Sequence, residues 1–103
     1  MIRYRWIGEV RYGHFAEYVE IGEELRALQR ARGLREGALW VPTVGTGNQI
    51  IWEIEYPDLA TFESETERFY SDAEIMKLVR RGSELIVQGT GRDELLQPAP
   101  HIA

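Results

Sequence analysis

Gln49-Ile50-Ile51-Trp52-Glu53-Ile54-Glu55-Tyr56 is the stretch on which the fold turns. Ile50, Trp52, Ile54 and Tyr56 fall on one face of a strand, and Gln49, Ile51, Glu53 and Glu55 on the other. The opening segment from Ile2 to Tyr12 has the same period of two. Its apolar face carries Ile2, Tyr4, Trp6, Gly8, Val10 and Tyr12, and its other face Arg3, Arg5, Ile7, Glu9 and Arg11. Laid antiparallel with Ile2 opposite Tyr56, the two strands match. Arg3 meets Glu55, Arg5 meets Glu53, and Ile7 meets Ile51, while Tyr4 meets Ile54 and Trp6 meets Trp52. Each good cross-strand pair adds roughly 0.2–1 kcal/mol. A shift of two residues keeps only some of these matches.

Between these strands, Phe15, Tyr18, Val19, Gly22, Leu25 and Leu28 follow helical spacing. Acidic residues come early and arginines late, which complements the helix dipole. The pattern predicts a helix from His14 to Arg32, ended by Gly33. A second strand is expected over Gly37 to Val44, where Pro42 argues for an edge position or a bulge. The turn Gly45-Thr46-Gly47-Asn48 leads into the Trp52 strand.

After that strand, Asp58 is placed to cap a helix carrying Leu59, Phe62, Thr66 and Phe69. Ser71-Asp72-Ala73-Glu74 reads as a capping box between Ser71 and Glu74 that opens another helical stretch. Leu85-Ile86-Val87 fits either the end of that helix or a strand. Asp93 to Gln97 is a short last strand, and residues 98–103 form a loose tail.

The order β, α, β, β, split α, β implies an α+β, ferredoxin-like βαββαβ domain spanning residues 1–103. Its four-stranded antiparallel sheet has both helical layers on one face. The aromatic face lies under the helices. The face bearing Arg3, Arg5, Ile7, Ile51, Glu53 and Glu55 is left open and suits a second copy of the same sheet, which makes a homodimer the expected partner.

Composition narrows the function classes. The 103 residues carry a formal net charge of −5 with no basic run, so a phosphate backbone is repelled and no nucleic-acid partner is expected. Cysteine is absent, which removes disulfides and thiolate chemistry. Two histidines far apart supply no usual zinc set, so no metal and no cofactor are expected. Neither an apolar leader nor a membrane-length apolar run is seen, and the expected location is the cytoplasm.

Gly47-Asn48-Gln49-Ile50-Ile51-Trp52-Glu53-Ile54-Glu55-Tyr56-Pro57-Asp58-Leu59-Ala60 resembles the third strand and following helix of the NIPSNAP-like proteins, which belong to the dimeric α/β-barrel superfamily. Val10-Arg11-Tyr12-Gly13-His14 resembles the strand-to-helix turn of that family. Ser71-Asp72-Ala73-Glu74 resembles its break between two helical pieces, and Leu95-Leu96-Gln97-Pro98-Ala99-Pro100 its C-terminal strand and exit. The resemblance implies a homodimer of ferredoxin-like subunits. It implies little about chemistry, because the superfamily includes cofactor-free monooxygenases acting on aromatic polyketides, haem-degrading enzymes and cyclases. Some of them use an Asn, Trp and His set around a pocket between sheet and helices, and none of these roles is carried over to a residue of this chain.

Several residues are candidates for a site. His14 sits at the rim between strand and helix, and an imidazole is a common general base; an exposed first-turn residue is the plainer role. Tyr4, Trp6, Trp52 and Trp40, with Tyr56, are aromatic enough to line a flat ligand cavity, although filling the core under the helices comes first. Gln49, beside Asn48, offers an amide that can orient a carbonyl, or simply bond across subunits. Three functions follow: a homodimer binding a small aromatic or apolar molecule, a cofactor-independent monooxygenase or cyclase acting on an enolisable aromatic with His14 as base, or a non-catalytic interaction module.

Overall fold

β1 (Ile2–Glu9) and β3 (Gln49–Tyr56) pair antiparallel in the register the charges require, with Arg3 opposite Glu55, Arg5 opposite Glu53 and Trp6 opposite Trp52. A slip of one residue would turn every aromatic toward the open face, so burial on one side fixes the register. The computed structural model describes residues 1–100. His101 and the last residues of the expected tail lie outside the described residues.

The remaining elements are α1 (Phe15–Ala31), β2 (Ala38–Trp40), α2 (Leu59–Ser71), α3 (Ala73–Ser83) and β4 (Arg92–Leu96). The strands form one sheet in the order β2-β3-β1-β4, antiparallel throughout. This is the α+β, ferredoxin-like arrangement. No helix among the described residues is long and apolar enough to cross a membrane.

α1 ends in a Schellman motif. Gly33 takes φ +69°, and the N–H groups of Leu34 and Gly33 donate to the carbonyls of Gln29 and Arg30 at 2.9 and 3.1 Å. Asp58 caps α2 by accepting from the Thr61 N–H at 2.7 Å.

The capping box expected at Ser71 is displaced by one residue. Asp72 is the cap of α3 and accepts from the N–H groups of Glu74 and Ile75, both at 3.0 Å. The Ser71 hydroxyl instead donates back to the Glu67 carbonyl at 2.8 Å and finishes α2. A carboxylate accepts two amides more strongly than a hydroxyl accepts one, so the aspartate takes the cap.

β2 is three residues long rather than the eight-residue strand expected over Gly37 to Val44. Pro42 has no N–H to give the ladder, and pairing stops before it. β4 begins and ends one residue earlier than expected. The ambiguous Leu85-Ile86-Val87 segment leaves the helix and bridges to the end of β1. Arg11 N–H donates to Leu85, and Val87 N–H to Glu9, each at 2.8 Å, around the Val10–Ile86 bridge.

The core sits under the helices, where Val10, Ile50 and Ile75 are almost wholly buried. On the open face Arg5 Nε donates to Glu53 at 2.8 Å, Arg3 Nε lies 3.2 Å from Glu53, and Arg3 also pairs with Glu55. Ile7 is buried beside them.

Candidate functional site

The aromatic face of the sheet does not close fully against the helices. A cavity of about 610 Å³ lies between them, within the usual size of small-molecule sites. Its floor is Tyr4 and Trp6 from β1 with Trp52, Ile54 and Tyr56 from β3. α1 contributes Tyr18, Gly22, Leu25 and Gln29, α2 contributes Phe62 and Glu65, and α3 contributes Leu78 and Gly82.

Glycines let the indoles lie where they do. A Cβ on Gly37 would stand 2.8 Å from the Trp52 ring, and one on Gly22 3.0 Å from it. Trp6 lies against Gly8 and Gly91 in the same way, with contacts of 2.6 and 3.0 Å to a Cβ at those positions. Phe62 packs edge-on against Tyr56 with centroids 5.3 Å apart and tilts over Tyr4 at 5.9 Å. The result is a cavity walled largely by aromatic rings.

The polar groups in the wall are few. Tyr18 is 7 % exposed, and its hydroxyl accepts from the Trp52 indole N–H at 2.7 Å. Burial pushes the Tyr18 phenol up to about 12. Tyr56 is raised to about 12 as well, by burial and then by the charge of Glu65. Burial raises Tyr4 further, helped by its hydrogen bond to Asp93. All three phenols are therefore neutral donors at ordinary pH. Glu65, buried on α2, accepts from the Arg35 backbone N–H at 2.8 Å and pairs with the Arg35 guanidinium. That guanidinium stands 5.8 Å from the centre of the Tyr56 ring.

Of the residues singled out in the sequence, Tyr4, Trp6 and Trp52 meet in this cavity. Trp40 and Gln49 do not. Trp40 pairs with Ile51 and Gln49 with Glu9, which places both on the open face of the sheet. In β2 it is Leu39, paired with Trp52, that faces the helices, and Trp40 is one residue out of phase. His14 is exposed at the start of α1, makes no cap bond, and has its Nδ1 3.3 Å from Glu17. It is not among the residues of the cavity wall. Asn48 is structural, its side-chain amide donating to the Val10 carbonyl at 3.1 Å.

Arg3, Arg5, Ile7, Ile51, Glu53 and Glu55 do share the open face, as their alternation requires. Sequence reasoning assigned no site role to Tyr18, Gln29 or Glu65. Tyr18 and Gln29 lie on the α1 stripe that also carries Gly22 and Leu25. A polar residue within such a buried stripe was the available signal.

No family model matches the sequence, and no curated protein matches it. Solved structures share the fold. A NIPSNAP family protein from Agrobacterium tumefaciens superposes with a TM-score of 0.78 at 22% identity, over 95% of this chain and 92% of that one. An uncharacterized NIPSNAP domain protein from Burkholderia xenovorans gives 0.78 at 17% identity, over 100% and 99%. An antibiotic biosynthesis monooxygenase gives 0.73 at 16% identity, over 97% and 100%. The chain has the fold of NIPSNAP family proteins, shared with that monooxygenase.

Proposed function

We propose that this chain is a NIPSNAP-like, cytoplasmic homodimeric α/β-barrel protein that binds a small aromatic or apolar molecule between its sheet and helices. The observation that carries the reading is the cavity itself. About 610 Å³ of space is walled by Trp6, Trp52, Tyr56 and Phe62 where a filled core would have none. Flat rings stack favourably on such walls.

The homodimer is supported by the open sheet face. Trp40 is 57 % exposed there, next to Ile51 and the Arg3, Arg5, Glu53 and Glu55 ion pairs. An apolar patch rimmed by charges of both signs is self-complementary under a two-fold axis.

The experiment is a tryptophan-fluorescence titration with biphenyl, run beside a Leu25→Phe variant that fills the slot. Saturable quenching in the native chain and its loss in the variant are expected. No quenching in either would leave the aromatics as core and the chain as an interaction module.

A second reading is favoured by one observation, the fold shared with an antibiotic biosynthesis monooxygenase. A cofactor-independent oxygenase would take a ring CH₂ to a carbonyl with one atom of O₂, the other leaving as water. The groups in this wall that could hold the intermediate oxygen are phenols and an indole rather than His14. Oxygen consumption with an enolisable aromatic, abolished in Tyr18→Phe, would establish it.

A further inference from the structure

Two polar side chains in the cavity wall have their acceptor atoms already engaged by the protein. Tyr18 Oη accepts from Trp52 Nε1 at 2.7 Å, and no protein acceptor among the described residues takes its own proton. Gln29 is 4 % exposed, and its Oε1 accepts from the Gly37 N–H at 3.4 Å. That bond fixes the amide's orientation, since only the oxygen can accept. The Gln29 Nε2 group then has no partner among the described residues, although it lies in the cavity wall. Those N–H groups open on the cavity, where only water or a ligand's acceptor can take them.

Both residues sit on one stripe of α1, with Gly22 and Leu25 between them. They are separated by three helical turns, roughly 16 Å along the axis. The cavity wall is therefore mostly apolar, with two donors three helical turns apart on α1. The charges around it argue about sign. Glu65, Asp93 and Glu94 line the cavity against Arg35 alone, and Arg35 is already paired with Glu65. An anion has no free cation to meet there.

Resting on the cavity reading above, we propose that the site selects an uncharged, rod-shaped aromatic molecule bearing a carbonyl-type acceptor at each end, with Tyr18 and Gln29 as the selecting residues. A ligand offering only donors at those positions would leave the Tyr18 and Gln29 protons unpaired and be rejected.

The test is a tryptophan-fluorescence titration with four probes of one shape: biphenyl, 4-acetylbiphenyl, 4,4′-diacetylbiphenyl and biphenyl-4,4′-dicarboxylate. Each acetyl group is expected to tighten binding about fivefold, the size of one net hydrogen bond. The dicarboxylate is expected to bind more weakly than the diacetyl compound by at least about tenfold. Gln29→Met keeps the volume and removes the amide. It should erase the step in affinity from one acetyl group to two while keeping the step from none to one.

A Gln29→Met chain that melts with the native cooperativity confirms that the comparison is between folded proteins. If Gln29→Met does not fold, the probe series in the native chain decides alone. Equal affinity for biphenyl and the diacetyl compound would overturn the donor assignment while leaving the cavity standing. Failure of all four probes to bind would overturn both.

Discussion

The Trp52 indole N–H donates to the Tyr18 hydroxyl across 2.7 Å, tying the central strand β3 to α1 inside the cavity wall. The bond joins residues 34 apart in sequence and sets two things together. It fixes the plane of the indole at the cavity floor, and it leaves the phenol proton free to be donated. Fold and site share this contact, so changes around it should move both.

Gly37→Ala tests the seat of that indole. The added Cβ would stand 2.8 Å from the Trp52 ring, with no positive φ at that residue to complicate the reading. Overpacking of this kind costs about 1–3 kcal/mol. Urea unfolding should show a loss in that range together with a changed tryptophan emission. A variant as stable as the parent would mean that Trp52 has room to yield.

Leu25→Phe tests whether the slot is open. Enlarging a side chain in a tightly packed core costs about 1–3 kcal/mol, but here the ring has space to enter. The expected cost is below about 1 kcal/mol by denaturant unfolding, with biphenyl affinity down at least about tenfold. Full overpacking cost with no effect on binding would show that Leu25 does not border usable space.

Alkaline pH should destabilise the protein through its buried phenols. Tyr18 is held neutral up to about 12, whereas an unfolded tyrosine ionises near 10. The stabilisation is fully present below the unfolded value and is lost as pH rises through the folded one. Between about pH 10 and 12 stability should fall, by on the order of 2 kcal/mol for Tyr18 alone. Tyr56, raised in the same direction, adds to the fall. Tyrosinate absorbance followed during urea unfolding measures it, and Tyr18→Phe should flatten the curve.

Acid acts on the junction of α2 and α3. The Ile75 backbone N–H and then Arg32 hold the Asp72 carboxyl below the usual carboxylate range. Its contribution is present above the ordinary value and disappears as pH falls through the lowered one. Asp72→Asn keeps an acceptor for the backbone amides but carries no charge. Its melting temperature should be lower than the parent's at neutral pH and should vary less between about pH 5 and 2. Parallel melting curves for the two chains would remove Asp72 from the acid response.

Ile51→Lys addresses the proposed pairing of open faces. Ile51 lies between Ile7 and Trp40 across the sheet. A lysine there would be buried in the interface without a partner, which is strongly unfavourable. Sedimentation should give about twice the 11.9 kDa chain mass for the parent and the single-chain mass for the variant. A parent that sediments at the single-chain mass would refute the homodimer.

The long strands were legible because their two faces differ in kind. Arginines at positions 3 and 5 find glutamates at 55 and 53 in one register only, and that register is the one observed. Asp58 was legible as a cap because nothing adjacent competes with it. At the next break two capping side chains stand side by side, and the pattern could not say that Asp72 would displace Ser71. Trp40 was grouped with the aromatics of the cavity because β2 is too short to show a period of its own. Its phase comes from pairing with β3. The donors at Tyr18 and Gln29 were invisible for a different reason. What a polar side chain has left to offer depends on which partners the fold brings to it, here Trp52 and Gly37, and composition carries no trace of that.

The cavity is tested most directly by a crystal structure of the protein grown with 4-acetylbiphenyl. One molecule per chain is expected, its rings in the cavity walled by Trp52 and Phe62 and its carbonyl oxygen within hydrogen-bond distance of Tyr18 or Gln29. A structure in which side chains fill that space, or in which the probe sits only on the outer surface, would contradict it.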